Sequence, residues 1–68
     1  MKGSVTANGA SVEGDFPVSL LRWLEAQDLL PRSVVVELNG EAVAPSEFAS
    51  RELHDGDRLE IVRIVAGG

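Results

Sequence analysis

The residues of this chain best placed to do chemistry are its last three, Ala66-Gly67-Gly68. At an average glycine usage of about 7%, a Gly-Gly end arises by chance in roughly one chain in 200. Here the two glycines come directly after a strand-like apolar run, with no loop between. Such a tail is a flexible rod with a bare carboxylate at its tip. A carboxylate is a poor electrophile. Transfer of AMP from ATP turns it into a mixed anhydride that a nucleophile can attack, inside a site that keeps water out. A chain end threads into such a site best without Cβ atoms, because its backbone can then approach closely. Gly68 is therefore the candidate reactive residue, and Ala66 and Gly67 are the candidate threading residues. The mechanism takes no side chain from the carrier.

No rival constellation competes with the tail. The chain has no cysteine, which excludes disulfides, thiolate metal sites and thiol chemistry. His54 is the single histidine, and no suitably spaced carboxylates complete a metal site around it. It reads as an exposed structural residue beside a turn. Asp55-Gly56-Asp57 lacks the spacing and the closing Glu of a calcium loop and reads as a turn. Ser11, Ser19, Ser33, Ser46 and Ser50 have no neighbouring base to activate them. Neither GxGxxG nor GxxxxGK is present. The expectation is a protein that is not an enzyme, has no catalytic side chain or metal, and binds no cofactor itself. ATP would be used by an adenylating partner.

Composition bounds the partners. The chain has 68 residues, 44% of them hydrophobic, and a formal net charge of -5. That is one domain with a packed core rather than a disordered chain. The negative charge disfavours nucleic acid and anionic membrane surfaces and favours basic protein partners. No apolar run approaches a membrane span, and the Met1-Lys2-Gly3-Ser4-Val5-Thr6 start lacks the apolar stretch of a signal peptide. A small secreted domain usually carries staples, so the absence of cysteine points to the cytoplasm.

The elements that must position the tail follow from periodicity and turn signals. Asn8-Gly9 predicts a tight hairpin between short strands around Val5-Thr6 and Ala10-Ser11-Val12. A helix is expected next, with Asp15 as cap and Pro17 at its first position. Its buried face would carry Leu20, Leu21 and Leu24, with Trp23 at the border and partly buried. It should stop near Asp28, with Pro31 enforcing the stop. Ser33 to Leu38 is the clearest strand, ended by Asn39-Gly40. Glu41-Ala42-Val43 gives a short return strand, and Pro45-Ser46-Glu47-Phe48 a single helical turn with Phe48 plugging the core. Arg58 to Val65 forms a long final strand. Residues 1–65 are thus one domain and residues 66–68 a tail.

Placing the first strand parallel beside the last, with the helix across one face, gives an α+β fold of the β-grasp type. Its mixed sheet has about four or five strands. Strand alternation points Val34, Val36, Leu38, Leu59 and Ile61 at the helix, and Val35, Glu37, Glu60, Val62 and Ile64 at solvent. A solvated sheet face ought to be polar, so Val35, Val62 and Ile64 form a candidate docking patch. Arg63, beside Val62 near the tail, is a further candidate contact.

Three segments carry a resemblance. Asn39-Gly40-Glu41, then Val43-Ala44-Pro45-Ser46-Glu47-Phe48, then Asp55-Gly56-Asp57 running through a hydrophobic strand to Gly67-Gly68, resemble the ThiS family of thiamine-biosynthesis sulfur carriers. Gly14, Val18, Leu20 and Leu21 sit where that family's first helix begins. Two features depart from the family pattern: Asp15-Phe16-Pro17 before the helix, and Phe48 where Trp is frequent. The resemblance implies a ubiquitin-like β-grasp fold. It implies that an adenylating enzyme of the ubiquitin-activating type (ThiF-like) activates the Gly68 carboxylate with ATP. Sulfur drawn from cysteine by a desulfurase system then gives a thiocarboxylate, and thiazole synthase (ThiG-like) accepts the sulfur. Sulfur donation to molybdopterin, cysteine or tRNA is the nearest alternative, and a ubiquitin-like protein modifier is another.

Overall fold

The computed structural model describes residues 1–65, so the expected tail of Ala66, Gly67 and Gly68 lies outside the described residues. Strands β1 (Lys2–Ala7) and β2 (Ala10–Asp15) form a hairpin longer at both ends than its weak flanking residues suggested. At its turn, Asn8 and Gly9 both have positive φ, 51° and 84°. A two-residue hairpin loop needs that backbone, and Asn and Gly supply it at little cost. Next come β3 (Val18–Ser19), helix α1 (Leu20–Ala26), β4 (Val34–Leu38), β5 (Glu41–Val43), β6 (Glu52–Leu53) and β7 (Arg58–Arg63). Short 3₁₀ turns cover Pro31–Ser33 and Pro45–Glu47.

The main sheet has the order β2-β1-β7-β4-β5, with β1 and β7 parallel and the other pairs antiparallel. β7, the strand that leads to the tail, is therefore the centre of the sheet. The fold is α+β, a mixed five-stranded sheet on one helix, as expected. A second, two-stranded sheet of β3 and β6 was not foreseen; two residues per strand leave no periodicity to read.

The helix starts later than the sequence suggested. Pro17 is not its first residue and Asp15 is not its cap; the Phe16–Pro17 peptide is cis, and Val18–Ser19 are extended and paired with β6. Three partners set the start at Leu20. The Leu20 and Leu21 amides donate to the Arg51 and Phe48 carbonyls, at 2.8 and 2.9 Å. Ser19 Oγ accepts from the Arg22 amide at 3.1 Å. These satisfy donors that the first helical turn leaves open. At the other end, Asp28 takes a left-handed φ of 62°. Its amide donates to Glu25 and that of Leu29 to Leu24, which closes the helix three residues before Pro31.

Between helix and sheet lies the core: Leu20, Trp23 and Leu24 against Val5, Val34, Val36, Leu38 and Leu59, with Phe48 and Leu53 closing one end. Two aromatic residues lie deeper than expected. Trp23 is only 6% exposed: the inward face of the helix is Leu20, Trp23 and Leu24, and Leu21 is half-buried. Phe16, assigned no role from sequence, is buried as well.

Both Asn-Gly turns also grip β7 through side chains. The Asn8 carboxamide accepts from the Ile61 amide at 2.7 Å and donates to the Ile61 carbonyl at 3.0 Å. Asn39 Oδ1 accepts from the Arg58 amide at 2.9 Å, and its Nδ2 donates to Asp57 Oδ1 at 3.1 Å. The Asn8 main-chain amide still donates to the Leu59 carbonyl at 2.9 Å, and beyond it the Asn8 carboxamide stands in for the next peptide of the parallel ladder.

Candidate functional site

Strand β7 carries the chain to the tail, and its register defines the surface around it. Val62 lies directly opposite Val35 on β4, and Glu60 directly opposite Glu37. These four side chains share the sheet face turned away from the helix, because the partners on either side, Val36, Leu38 and Leu59, are buried. Val35 and Val62 are 50% and 63% exposed. The final strand ends at Arg63 rather than Val65. One further bond, from the Ile64 amide to the Ser33 carbonyl at 2.8 Å, ties the chain to the start of β4 before the tail.

The structure does not bring all four candidate docking residues onto one face. Val35 and Val62 form a cross-strand pair. Ile64 follows on Val62's side by alternation but stands past the end of the strand, 55% exposed. Arg63 lies opposite Val34, on the helix side of the sheet. There it borders a cleft of about 340 Å³ with Trp23, Gln27 and Leu29. It also borders a second cleft, of about 420 Å³, with Leu30, Ile64 and Val65. Leu30 and Val65, 65% and 85% exposed, belong to the apolar surface at the base of the tail. Neither was given a role from sequence: Leu30 falls between elements, and Val65 was expected as the last residue of the final strand; the apolar pair Leu29-Leu30 in a loop was the available signal.

The other polar groups singled out are tied into the framework. Asp55 Oδ1 accepts from the Ser4 amide and Asp57 Oδ2 from the His54 amide, both at 2.8 Å, so the Asp55-Gly56-Asp57 segment is a turn clasping β1. His54 is exposed, with its imidazole 3.8 Å from Glu52 and 3.9 Å from Asp57. Among the described residues no three His, Asp or Glu side chains are grouped to hold a metal ion. No helix among them is long and apolar enough to cross a membrane.

Comparison with known proteins places this geometry. The sequence model of the ThiS family matches residues 6–68, which includes β7 and the Gly67-Gly68 end. The chain belongs to the ThiS family. A crystal structure of the thiamine biosynthesis protein ThiS from Geobacter metallireducens superposes with a TM-score of 0.80 at 31% identity, covering 96% of this chain and 99% of that one. An NMR structure of a thiamine biosynthesis protein from the same organism gives 0.77 at 31% identity, covering 96% and 87%. The chain is also 37% identical over 65 residues to the uncharacterized protein ycf40 of Pyropia yezoensis, covering 96% of this chain and 92% of that one. For ycf40 of Porphyra purpurea the identity is 31%, with the same coverage. The ThiS family is one of ubiquitin-like sulfur carriers with the β-grasp fold, and this chain has that fold.

Proposed function

We propose that this protein is the sulfur carrier of thiamine biosynthesis, and that its working group is the Gly68 carboxylate. The observation that carries the reading is the family match, which runs through the diglycine end. In this reading the carboxylate oxygen of Gly68 attacks the α-phosphorus of ATP in a ubiquitin-activating-type adenylating enzyme (ThiF-like), and pyrophosphate leaves. A persulfide supplied by a cysteine desulfurase system attacks the acyl carbon, and AMP leaves. A thiol then cleaves the resulting acyl disulfide, forming a disulfide with the donor and freeing the Gly68 thiocarboxylate. Thiazole synthase (ThiG-like) accepts that sulfur in the cytoplasm. The carrier supplies a handle and a tether and catalyses nothing itself.

The tether is short. Three residues span at most about 11 Å when fully extended. An enzyme that acts on Gly68 must therefore come close to Val65 and cover the surface beside it. Val35, Val62 and Ile64 are exposed apolar side chains on that side, with Leu30 and Val65 at the base of the tail. Burying them supplies affinity by removing apolar surface from water.

The test is the intact mass after incubation with ATP, cysteine and a lysate of the host. A species heavier by the difference between one sulfur and one oxygen, lost on deletion of Gly68, is expected. Unchanged mass would refute the reading, and conjugates of higher mass would replace it with that of a protein modifier.

A further inference from the structure

The exposed sheet face carries an electrostatic arrangement that the fold itself does not use. Glu37 and Glu60 lie directly opposite each other on β4 and β7, two interior strands of the sheet. Carboxylates in that position repel and weaken the strand pair. Among the described residues no Lys, Arg or His lies within 4 Å of either; the only side-chain cation pairs are those of Arg51 and His54. Arg58 is the nearest cation in register on this face, two residues from Glu60, and it lies opposite Thr6 on β1 rather than between the acids. Two residues further toward the tail, the same two strands present the exposed pair Val35 and Val62. An uncompensated like-charge pair in the middle of a sheet departs from local preference, and such departures concentrate at functional surfaces.

We propose that this face recognises the adenylating enzyme through a basic side chain, an arginine or lysine set over the Glu37–Glu60 pair, with an apolar side chain seated on Val35 and Val62. The proposal rests on the reading that such an enzyme acts on Gly68, and it specifies the chemistry of that partner's contact surface. Residues two apart on a strand lie about 7 Å from each other, so the basic and apolar groups of the partner share that spacing. The short tether puts this face under the partner. The chain's net charge of -5 favours encounter with a basic surface, and the glutamate pair orients it. A cation arriving there relieves a repulsion already present in the free protein.

The experiment measures steady-state adenylation of the full chain by the host's ubiquitin-activating-type enzyme, followed by pyrophosphate release, over a range of salt. The variant is Glu37→Gln/Glu60→Gln, with Glu60→Gln alone as the milder substitution. The expected result is a rise of about tenfold in the KM for this protein at low salt, a flatter salt dependence and little change in kcat. The thermal midpoint should hold or rise, because the repulsion is gone. That combination separates recognition from a structural role, which would lower stability and leave the salt dependence alone. Unchanged KM and salt slope, with the wild type adenylated normally, would overturn the inference and leave the proposed function standing. Failure of the wild type to be adenylated at all would overturn both.

Discussion

Asn8 is expected to be worth far more to this domain than an exposed turn residue usually is. Its carboxamide makes two hydrogen bonds to the backbone of Ile61, 53 residues away, and its backbone holds a left-handed φ of 51°. Substitution by Ala removes both bonds. At about 0.5–1.5 kcal/mol each, and toward the lower end because the site is exposed to water, the loss is about 1–2 kcal/mol. Ala in the left-handed region adds roughly 1 kcal/mol. Asn8→Ala should therefore destabilise by about 2–3 kcal/mol, and Asn8→Gly, which keeps the backbone freedom, by about 1–2 kcal/mol. For a domain of this size each kcal/mol moves Tm by about 4–8 °C, so Asn8→Ala should lower it by at least about 8 °C. Urea denaturation gives the free energies. Hydrogen exchange at the Ile61 amide shows whether the end of β7 has loosened locally. A loss below about 0.5 kcal/mol, with Ile61 protection unchanged, would refute the view that the Asn8 side chain continues the sheet.

Other substitutions test neighbouring parts of the argument. A Cβ at Gly3 would lie 2.6 Å from Asp55 Oδ1 and 2.8 Å from Asp55 Cβ, so Gly3→Ala should cost about 1–3 kcal/mol. In Gly3→Ala/Asp55→Ala the loss should be smaller than the sum of the single changes, which a double-mutant cycle measures. Phe48→Ala, at a side chain 1% exposed, should cost about 3–5 kcal/mol and leave a substantial unfolded fraction at room temperature, visible by circular dichroism. Asp28→Gly should stabilise by about 0.5–1 kcal/mol, since glycine suits the left-handed position and a negative charge leaves the helix C-terminus; a lower thermal midpoint would contradict that account of the cap.

Much of the fold was legible because strand alternation and turn chemistry are local. Side chains in a strand alternate faces by covalent geometry, so Val34, Val36 and Leu38 could be placed inside and Val35 outside before any partner strand was known. The Asn-Gly turns at 8–9 and 39–40 specify their own backbone. The tail residues and the apolar character of Val62 and Ile64 are likewise properties of the sequence alone.

Only tertiary structure decided the rest, because it depends on groups far apart in the chain. The helix begins at Leu20 and not Pro17 because the carbonyls of Phe48 and Arg51 reach its first amides. Phe16 and Trp23 are buried because they meet the core cluster assembled from residues far apart in the chain. Alternation placed Glu37 and Glu60 on one face, but only the pairing of β4 with β7 set them opposite each other beside Val35 and Val62. A strand encodes which way its side chains point; what they meet is fixed when another strand closes the ladder.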